Sequence, residues 1–387
     1  MRRVIVLGST GSVGVQALRV IASSRDLKVV GLSCERNVAL LMEQAVSMGV
    51  TDIAIADPEA ARTVPPALYP ELRVRSGSDA SARLVAEIEA DIVLNAIVGF
   101  AGLQATLAAL TRGTVLALAN KESLVCAGSL VMGLAASAGA TIVPVDSEHS
   151  AIYQLLGGVD QETVDAVVLT ASGGPFRGRK REELSNVTPE EALSHPTWSM
   201  GPKITVDSAT LMNKGLEIIE AHHLFGLPYE RIGVLVHPQS VVHGLVRLND
   251  GAWIAHLAVT DMRIPISYAL HYPARRQVQA EPLSLATGLA LEFFPPDEDT
   301  FPSLRLAREA GRKGDAGTCA LNAADEVAVR AFLEGQLPFL GIWPVVEEVI
   351  ARSPSGSFGT YEEACCVDEW ARATAKQVVE KHRLRKT

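Results

Sequence analysis

Cysteine is scarce in this chain of 387 residues: the five, at positions 34, 126, 319, 365 and 366, are scattered and contain no C-x-x-C pair. That spacing excludes a disulfide framework and a structural zinc site, and it fits a reducing cytoplasm. Positive charge is also short, with 35 lysines and arginines against 44 aspartates and glutamates and a formal net charge of −9. An acidic chain repels the phosphate backbone, so no nucleic-acid partner is expected and any anionic ligand must be met by a local site. Long uninterrupted apolar runs are missing as well. Residues 92–111 and 123–145 carry no charge over more than the roughly 18 residues that flag a spanning helix. Asn95, Gly99, Gly102 and Gln104 interrupt the first and Gly139 divides the second, so no membrane association is expected. The start, Met1-Arg2-Arg3 followed by apolar residues, imitates a signal peptide until the glycines from Gly8 onward break the run. Internal repeats, low-complexity tracts and a P-loop are absent from the sequence.

What remains is ordinary globular usage, 48% apolar and 20% charged, in a length that suits two or three domains at roughly 100–200 residues each. Apolar runs at 3–7, 28–32, 52–56, 92–98, 115–119 and 141–145 are separated by helix-like stretches. Strands alternating with helices predict an α/β fold, so residues 1–149 read as an N-terminal doubly wound, Rossmann-like parallel-sheet domain. Residues 150–275 read as an α+β catalytic domain. It has a strand over 166–172, two strands over 232–259 joined at Asn249-Asp250-Gly251, and a flexible flap over about 175–203. Within the flap, Thr188-Pro189-Glu190-Glu191 has the pattern of a capping box, and Trp198 and Met200 beside Gly201 and Pro202 suit a surface that closes over a ligand. Prolines 274, 282, 295, 296 and 302 mark a linker over 276–302, and 303–387 reads as a C-terminal helical domain with a second capping box at Thr360 to Glu363.

Gly8, Gly11 and Gly14 follow the first strand and open a helix, the context of a dinucleotide-binding turn: backbone comes close to a pyrophosphate, and the helix N-terminus offers N–H groups and a favourable dipole. At the end of the second strand both cofactor signals are present. Glu35 suits the ribose hydroxyl of NAD, whereas Arg36 with Ser33 and Asn37 suits the 2′-phosphate of NADP.

Asp146 and Glu148 follow the last strand of this domain, and in an extended segment residues two apart point to the same side. A third carboxylate, Glu217, shares a helical face with Asn213 and Lys214. Three oxygen donors without paired cysteine or histidine suit Mg²⁺ or Mn²⁺; equally, Glu217 could serve only to pair with Lys214. Ser172, Ser208, Asn213 and Lys214 supply the donors that a phosphate monoester needs, although Ser208 also suits a helix cap and Ser172 a turn. Lys121 lies at the carboxyl end of a strand, where it could polarise a substrate oxygen or be merely an exposed charge. His195, in the flap, could donate to a substrate. His237 and His243 suit packing or hydrogen bonding.

These segments, in order, resemble the 1-deoxy-D-xylulose 5-phosphate reductoisomerase family: Gly8–Gly14, Leu118–Leu124, Pro144–His149, Ser172–Arg177, His195–Met200, Val206–Thr210, Met212–Glu217, His237–Ser240 and Leu321–Ala324. The resemblance implies a cytoplasmic homodimer that rearranges the sugar phosphate and reduces it with NADPH to 2-C-methyl-D-erythritol 4-phosphate, in non-mevalonate isoprenoid biosynthesis. It implies that Asp146, Glu148 and Glu217 hold the divalent ion and that Ser172, Ser208, Asn213 and Lys214 hold the phosphate. It places Lys121, Ser147 and His195 on the substrate, with Trp198 closing over it. Gly8, Thr10, Gly11, Ser12, Val13, Arg36, Asn37, Asn120 and Glu122 then fall to NADPH. Glu35 departs from the small residue, often glycine, that the family has there. Two rival readings are an NADP-dependent dehydrogenase of the semialdehyde type, which needs an activated cysteine such as Cys126, and a non-catalytic NADP sensor.

Overall fold

The computed structural model describes residues 1–65, 71–198, 200–286 and 288–383. Its strands are β1 Arg2–Leu7, β2 Leu27–Cys34, β3 Asp52–Ile55, β4 Arg73–Ser76, β5 Ile92–Asn95, β6 Val115–Leu118, β7 Ile142–Pro144, β8 Val164–Ala171, β9 Ile232–Val236, β10 Val242–Leu248 and β11 Trp253–Leu257. The first seven helices are α1 Ser12–Ser23, α2 Val38–Met48, α3 Pro58–Ala61, α4 Ala80–Glu87, α5 Leu103–Thr111, α6 Glu122–Ala138 and α7 Ser147–Leu156. The rest are α8 Pro189–Ala192, α9 Pro202–Ala209, α10 Met212–Phe225, α11 Arg263–His271, α12 Ser303–Gly311, α13 Asp315–Leu333, α14 Ile342–Arg352 and α15 Tyr361–His382. They form two compact units, one of Met1–Ser123, Val131–Ser150 and Asp261–Ala280, the other of Leu124–Leu130, Ala151–Thr260 and Glu281–Thr387.

The first unit holds a seven-stranded sheet in the order β4-β3-β2-β1-β5-β6-β7, every pair parallel. Its central strands are continuous apolar runs because helices cover both faces; Ile5, Leu7 and Ile92 are fully buried, each side chain contributing about 1.5–3 kcal/mol. The strand order reverses between β1 and β5, the point at which such sheets bind ligands beyond their carboxyl ends. β4 has no apolar run to announce it. It is an edge strand, and its Arg73 and Arg75 both reach Asp52 on β3.

The sequence places residues up to 275 in the second domain, but Asp261–Ala280 returns to the first unit. The reason is burial of Ile266, Ala269 and Leu270 of α11, with polar anchors to β1 and to the loop after α1. Arg2 donates to the carbonyl of Tyr272 at 3.0 Å, Ser24 Oγ lies 3.0 Å from His271 Nε2, and Arg276 pairs with Asp26 at 2.9 Å.

The second unit carries a four-stranded sheet in the order β11-β10-β8-β9. β9 runs parallel to β8, and β10 is antiparallel to both β8 and β11. The span 232–259 thus contains three strands where two were expected: the hairpin at Asn249–Gly251 is present, but the turn at His237–Ser240 separates β9 from β10 and lets it cross to the far side of β8. Part of the expected linker is also paired, with Phe294 exchanging two backbone hydrogen bonds with Val236.

The C-terminal helices do not build a core of their own. Leu304, Phe332, Phe339 and Trp343 pack in one cluster with Val167 of β8, Leu216 and Ile219 of α10, and Phe176. Phe339 stands edge-on to both Phe176 and Trp343, at centroid distances of 5.1 and 5.5 Å. Phe176, Leu184, Val187 and Ala192 anchor the expected flap in this core, whereas 177–183 and most of 185–198 are exposed or half-buried; Ser199 lies outside the described residues. Both capping boxes form, at Thr188/Glu191 and Thr360/Glu363. Among the described residues, no helix is long and apolar enough to cross a membrane.

Candidate active site

The glycine turn is built by close backbone contacts. Gly8 adopts φ +70, and a Cβ there would fall 2.6 Å from the carbonyl oxygen of Ala96 after β5. A Cβ on Gly14 would fall 2.3 Å from the carbonyl oxygen of Gly8, so α1 packs directly against the turn. Gly11 is the N-cap of α1 and supplies no side-chain cap, while Gly11 and Ser12 are exposed and Thr10 and Val13 half-buried. The open N–H groups at this helix start form an anion-binding end, which fits a pyrophosphate.

At the end of β2 the residues separate. Ser33 is buried, its Oγ accepting from the Gly8 N–H at 3.0 Å, so it braces the turn and is not available to a 2′-phosphate. Arg36 is exposed and bonds Asp57 at 2.7 Å, with Glu35 at 3.8 Å. Asn37 caps α2 through Leu40 N–H. Asn120 is buried and its amide donates to the carbonyls of Ile97 and Gly99 and to Glu122, while its oxygen accepts from Ser123. Its side chain thus ties the β5 and β6 loops together, leaving only its backbone for a cofactor.

Lys121 stands at the N-cap of α6 and is buried, which removes the exposed-charge alternative. Its Nζ lies 2.5 Å from Asp146 Oδ2. Burial opposes ionisation of Asp146, but the Lys121 ammonium and His149, 3.7 Å away, outweigh it and hold the carboxyl well below the usual carboxylate range. Ser147 and Glu148 do not continue an extended strand. They open α7, because the acid and hydroxyl residues after Pro144 favour a helix start, and Ser147 Oγ donates to Glu148 at 2.5 Å.

In the second unit, Leu211 adopts a left-handed conformation (φ 60) between α9 and α10, so the chain turns sharply from Ser208 to Asn213. Asn213 donates to Glu217 at 2.6 Å and Lys214 pairs with the other oxygen of the same carboxylate; both Lys214 and Glu217 are buried. His195 joins Ser172 to Ser208, its Nε2 lying 3.1 Å from each hydroxyl. Burial lowers the His195 pKa. Its Nδ1 accepts the backbone N–H groups of Thr197 and Trp198, so the neutral ring carries its proton on Nε2, directed at the two serines. Trp198 is half-buried.

Other residues separate from the site. His237 bonds the Glu292 carbonyl and stacks on Phe293, and His243 bonds the Ala258 carbonyl. Cys126 is fully buried, and burial together with Cys319 pushes its thiol well above the usual range, which is the reverse of an activated nucleophile. Three groups escaped sequence reasoning: His149 beside Asp146, Asp57 beside Arg36, and the buried pair Asp207 and Asp325 on Lys203. The first left a local signal in its three-residue spacing from Asp146 and the third in the four-residue helical spacing of Lys203 and Asp207, whereas Asp57 and Asp325 left none.

Comparison with known proteins gives one answer along the chain. Residues 4–128 match the 1-deoxy-D-xylulose 5-phosphate reductoisomerase family, 142–225 its C-terminal domain, and 257–374 the DXP reductoisomerase C-terminal domain. The 1-deoxy-D-xylulose 5-phosphate reductoisomerase of Thermomicrobium roseum is 48% identical over 379 residues, 97% of each chain. That of Mycobacterium tuberculosis is 49% identical over 381 residues, 97% of this chain and 90% of the relative. The solved enzyme from Zymomonas mobilis, in complex with NADPH, superposes with a TM-score of 0.91 at 41% identity, covering 98% of this chain and 99% of the other. A DOX-P reductoisomerase in complex with NADPH, fosmidomycin and magnesium gives 0.92 at 38% identity, covering 98% of each. The chain therefore belongs to the 1-deoxy-D-xylulose 5-phosphate reductoisomerase family.

Proposed function

We infer that the protein converts 1-deoxy-D-xylulose 5-phosphate into 2-C-methyl-D-erythritol 4-phosphate, using NADPH and a divalent metal ion, as a step of non-mevalonate isoprenoid precursor biosynthesis. The observation that carries this reading is the 48% identity maintained across 97% of both chains.

Both groups suit the residues present. The carboxylates proposed for the ion, Asp146, Glu148 and Glu217, are hard oxygen donors that favour Mg²⁺ or Mn²⁺ over softer metals, and Asp146 is held ionised by its neighbours. The open N-terminus of α1 and the close-packed glycine turn suit a pyrophosphate, with Arg36 and Asn37 proposed for the adenosine end. The metal ion supplies Lewis acidity for the rearrangement and NADPH supplies the hydride for the reduction.

The protein's own contribution is orientation and charge. Ser172, Ser208, Asn213 and Lys214 are proposed to hold the substrate phosphate, so that a fragment cannot leave while the carbon skeleton is rebuilt. His195 aims its Nε2 proton at the same place. Lys121 offers a buried ammonium to an oxygen gaining negative charge, and Ser147 donates beside it. Trp198 covers the substrate and keeps water from the reacting carbons. Scattered free thiols fit a cytoplasmic enzyme, and the family resemblance supports a homodimer, which sedimentation would test.

The test is NADPH oxidation with 1-deoxy-D-xylulose 5-phosphate, with and without Mn²⁺. Metal-dependent turnover is expected. It should fall by at least about 100-fold in Glu217→Gln while NADPH affinity is kept. Turnover that ignores chelation would end this reading.

A further inference from the structure

The most unusual charge arrangement outside the proposed catalytic groups lies where α9 meets α13. Lys203 Nζ bonds Asp207 Oδ2 at 2.6 Å and Asp325 Oδ2 at 2.8 Å. Both carboxylates are almost completely buried, with side chains 2% and 0% exposed. Two ionised acids on one ammonium would leave a net negative charge in the interior, which costs several kcal/mol in so dry a place. The hydrogen bonds show the same deficit: each acid spends Oδ2 on Lys203, and the Oδ1 of each is buried with no donor. Asp207 and Asp325 lie within hydrogen-bonding reach of each other, so one proton held between the two carboxyls removes the excess charge.

We propose that Asp207 and Asp325 share a proton, and that Asp207 acts as a neutral positioning residue that fixes the end of α9 carrying Ser208. Burial and the neighbouring Asp325 both push the Asp207 carboxyl upward, more strongly than Lys203 lowers it. The consequence for the reaction follows from sequence adjacency. Asp207 clamps α9 to α13 one residue before Ser208, whose hydroxyl meets His195 Nε2 at 3.1 Å. On the other side of Ser208, the Thr210 carbonyl accepts from Ser303 Oγ, which in turn accepts from the Trp343 indole. Ser208 is therefore held from both sides by buried polar contacts to the C-terminal helices. This role rests on the proposal that Ser208 binds the substrate phosphate; the shared proton does not.

Asparagine reproduces a neutral Asp207, with a carbonyl to accept from Lys203 and an N–H to reach Asp325. Asp207→Asn is expected to keep the KM for 1-deoxy-D-xylulose 5-phosphate within about twofold, whereas Asp207→Ala raises it about tenfold or more. In Asp207→Ala, kcat and the NADPH dissociation constant should move far less than KM. The infrared spectrum of the folded parent near neutral pH should contain the carbonyl band of a buried protonated carboxyl, lost in Asp207→Asn. A parent without that band overturns the shared proton, even if Asp207→Ala does not fold, and an asparagine variant as impaired as the alanine variant overturns the positioning role of a neutral Asp207. Ser208→Ala separates the two readings. An unchanged KM in that variant, with the band present, refutes the phosphate role of Ser208 and the positioning role with it, but leaves the proton in place.

Discussion

Lys121 Nζ and Asp146 Oδ2 lie 2.5 Å apart, the lysine following β6 and the aspartate following the adjacent strand β7. The parallel pairing of these strands, with Leu118 opposite Pro144, brings two residues 25 apart in sequence to the same sheet end. Lys121→Met would remove the ammonium but keep the side-chain length, leaving an uncompensated carboxylate. Unfolding in denaturant should show a loss of about 3 kcal/mol, the usual result of breaking a buried pair. Turnover should fall about 100-fold or more if the ammonium also meets developing negative charge. Steady-state kinetics of the folded variant separate the two effects.

Gly14→Ala tests the packing of α1 on the glycine turn. The added methyl would meet backbone atoms of Gly8 and Ser9 at 2.3 and 2.5 Å, and backbone cannot rotate aside as a side chain can. Overpacking of this kind costs about 1–3 kcal/mol and would displace the N–H groups that are to face the pyrophosphate. NADPH titration by fluorescence should show weaker binding, even at temperatures where circular dichroism still reports a folded protein.

The sequence showed the sheet of the first unit and the glycine turn because both are written in short-range pattern: apolar runs between helix periods, and glycine where backbone meets backbone. It showed the Asn213, Lys214 and Glu217 cluster for the same reason, since helical spacing alone places those side chains together. β4 was hidden because an edge strand such as Arg73–Ser76 is mostly exposed and needs no apolar run. The return of α11 to the first unit depends on anchors such as Arg2 to Tyr272, 270 residues apart. Lys203 and Asp325, 122 residues apart, show the same limit where α9 meets α13. Asn120 differs: its place in a family motif suggested a cofactor contact, and its buried amide, occupied by the loops around it, leaves the backbone for that proposed contact.

Glu35 and Asp57 both lie beside Arg36, the residue proposed for the 2′-phosphate. Glu35 is exposed and adds a negative charge near that phosphate, but Asp57 also caps α3 through Glu59 and Ala60 N–H. Only Glu35 is therefore dispensable to the fold. Glu35→Gly should tighten NADPH binding severalfold, by about 0.5–1 kcal/mol for an exposed charge, and leave NADH binding almost unchanged. The improvement should shrink as salt is raised. Equal effects on the two cofactors in calorimetric titrations would place Glu35 away from the 2′-phosphate.

His223 gives the acid limit of stability. Burial, and to a smaller extent the neighbouring His222, lower its pKa from the ordinary 6.5 to about 4. A Cβ on Gly128 would fall 2.2 Å from the imidazole, so the ring is tightly enclosed. The folded protein therefore keeps this histidine neutral, while the unfolded chain takes up a proton once the pH drops below about 6.5. Stability contributed by the neutral ring is complete above that value and is lost progressively down to about pH 4, a total of about 3 kcal/mol. Asp315, 3.9 Å from the ring, has a carboxyl raised by burial and titrates in the opposite sense, so the whole-protein curve will be shallower than this single group would make it. His223→Phe keeps an aromatic ring in the same enclosure and removes the titration. Denaturant unfolding of both proteins from pH 7 to pH 4 should show the parent losing about 3 kcal/mol more than the variant. Parallel curves would mean that the ring is protonated in the folded state, and that burial around Gly128 is less complete than the packing indicates.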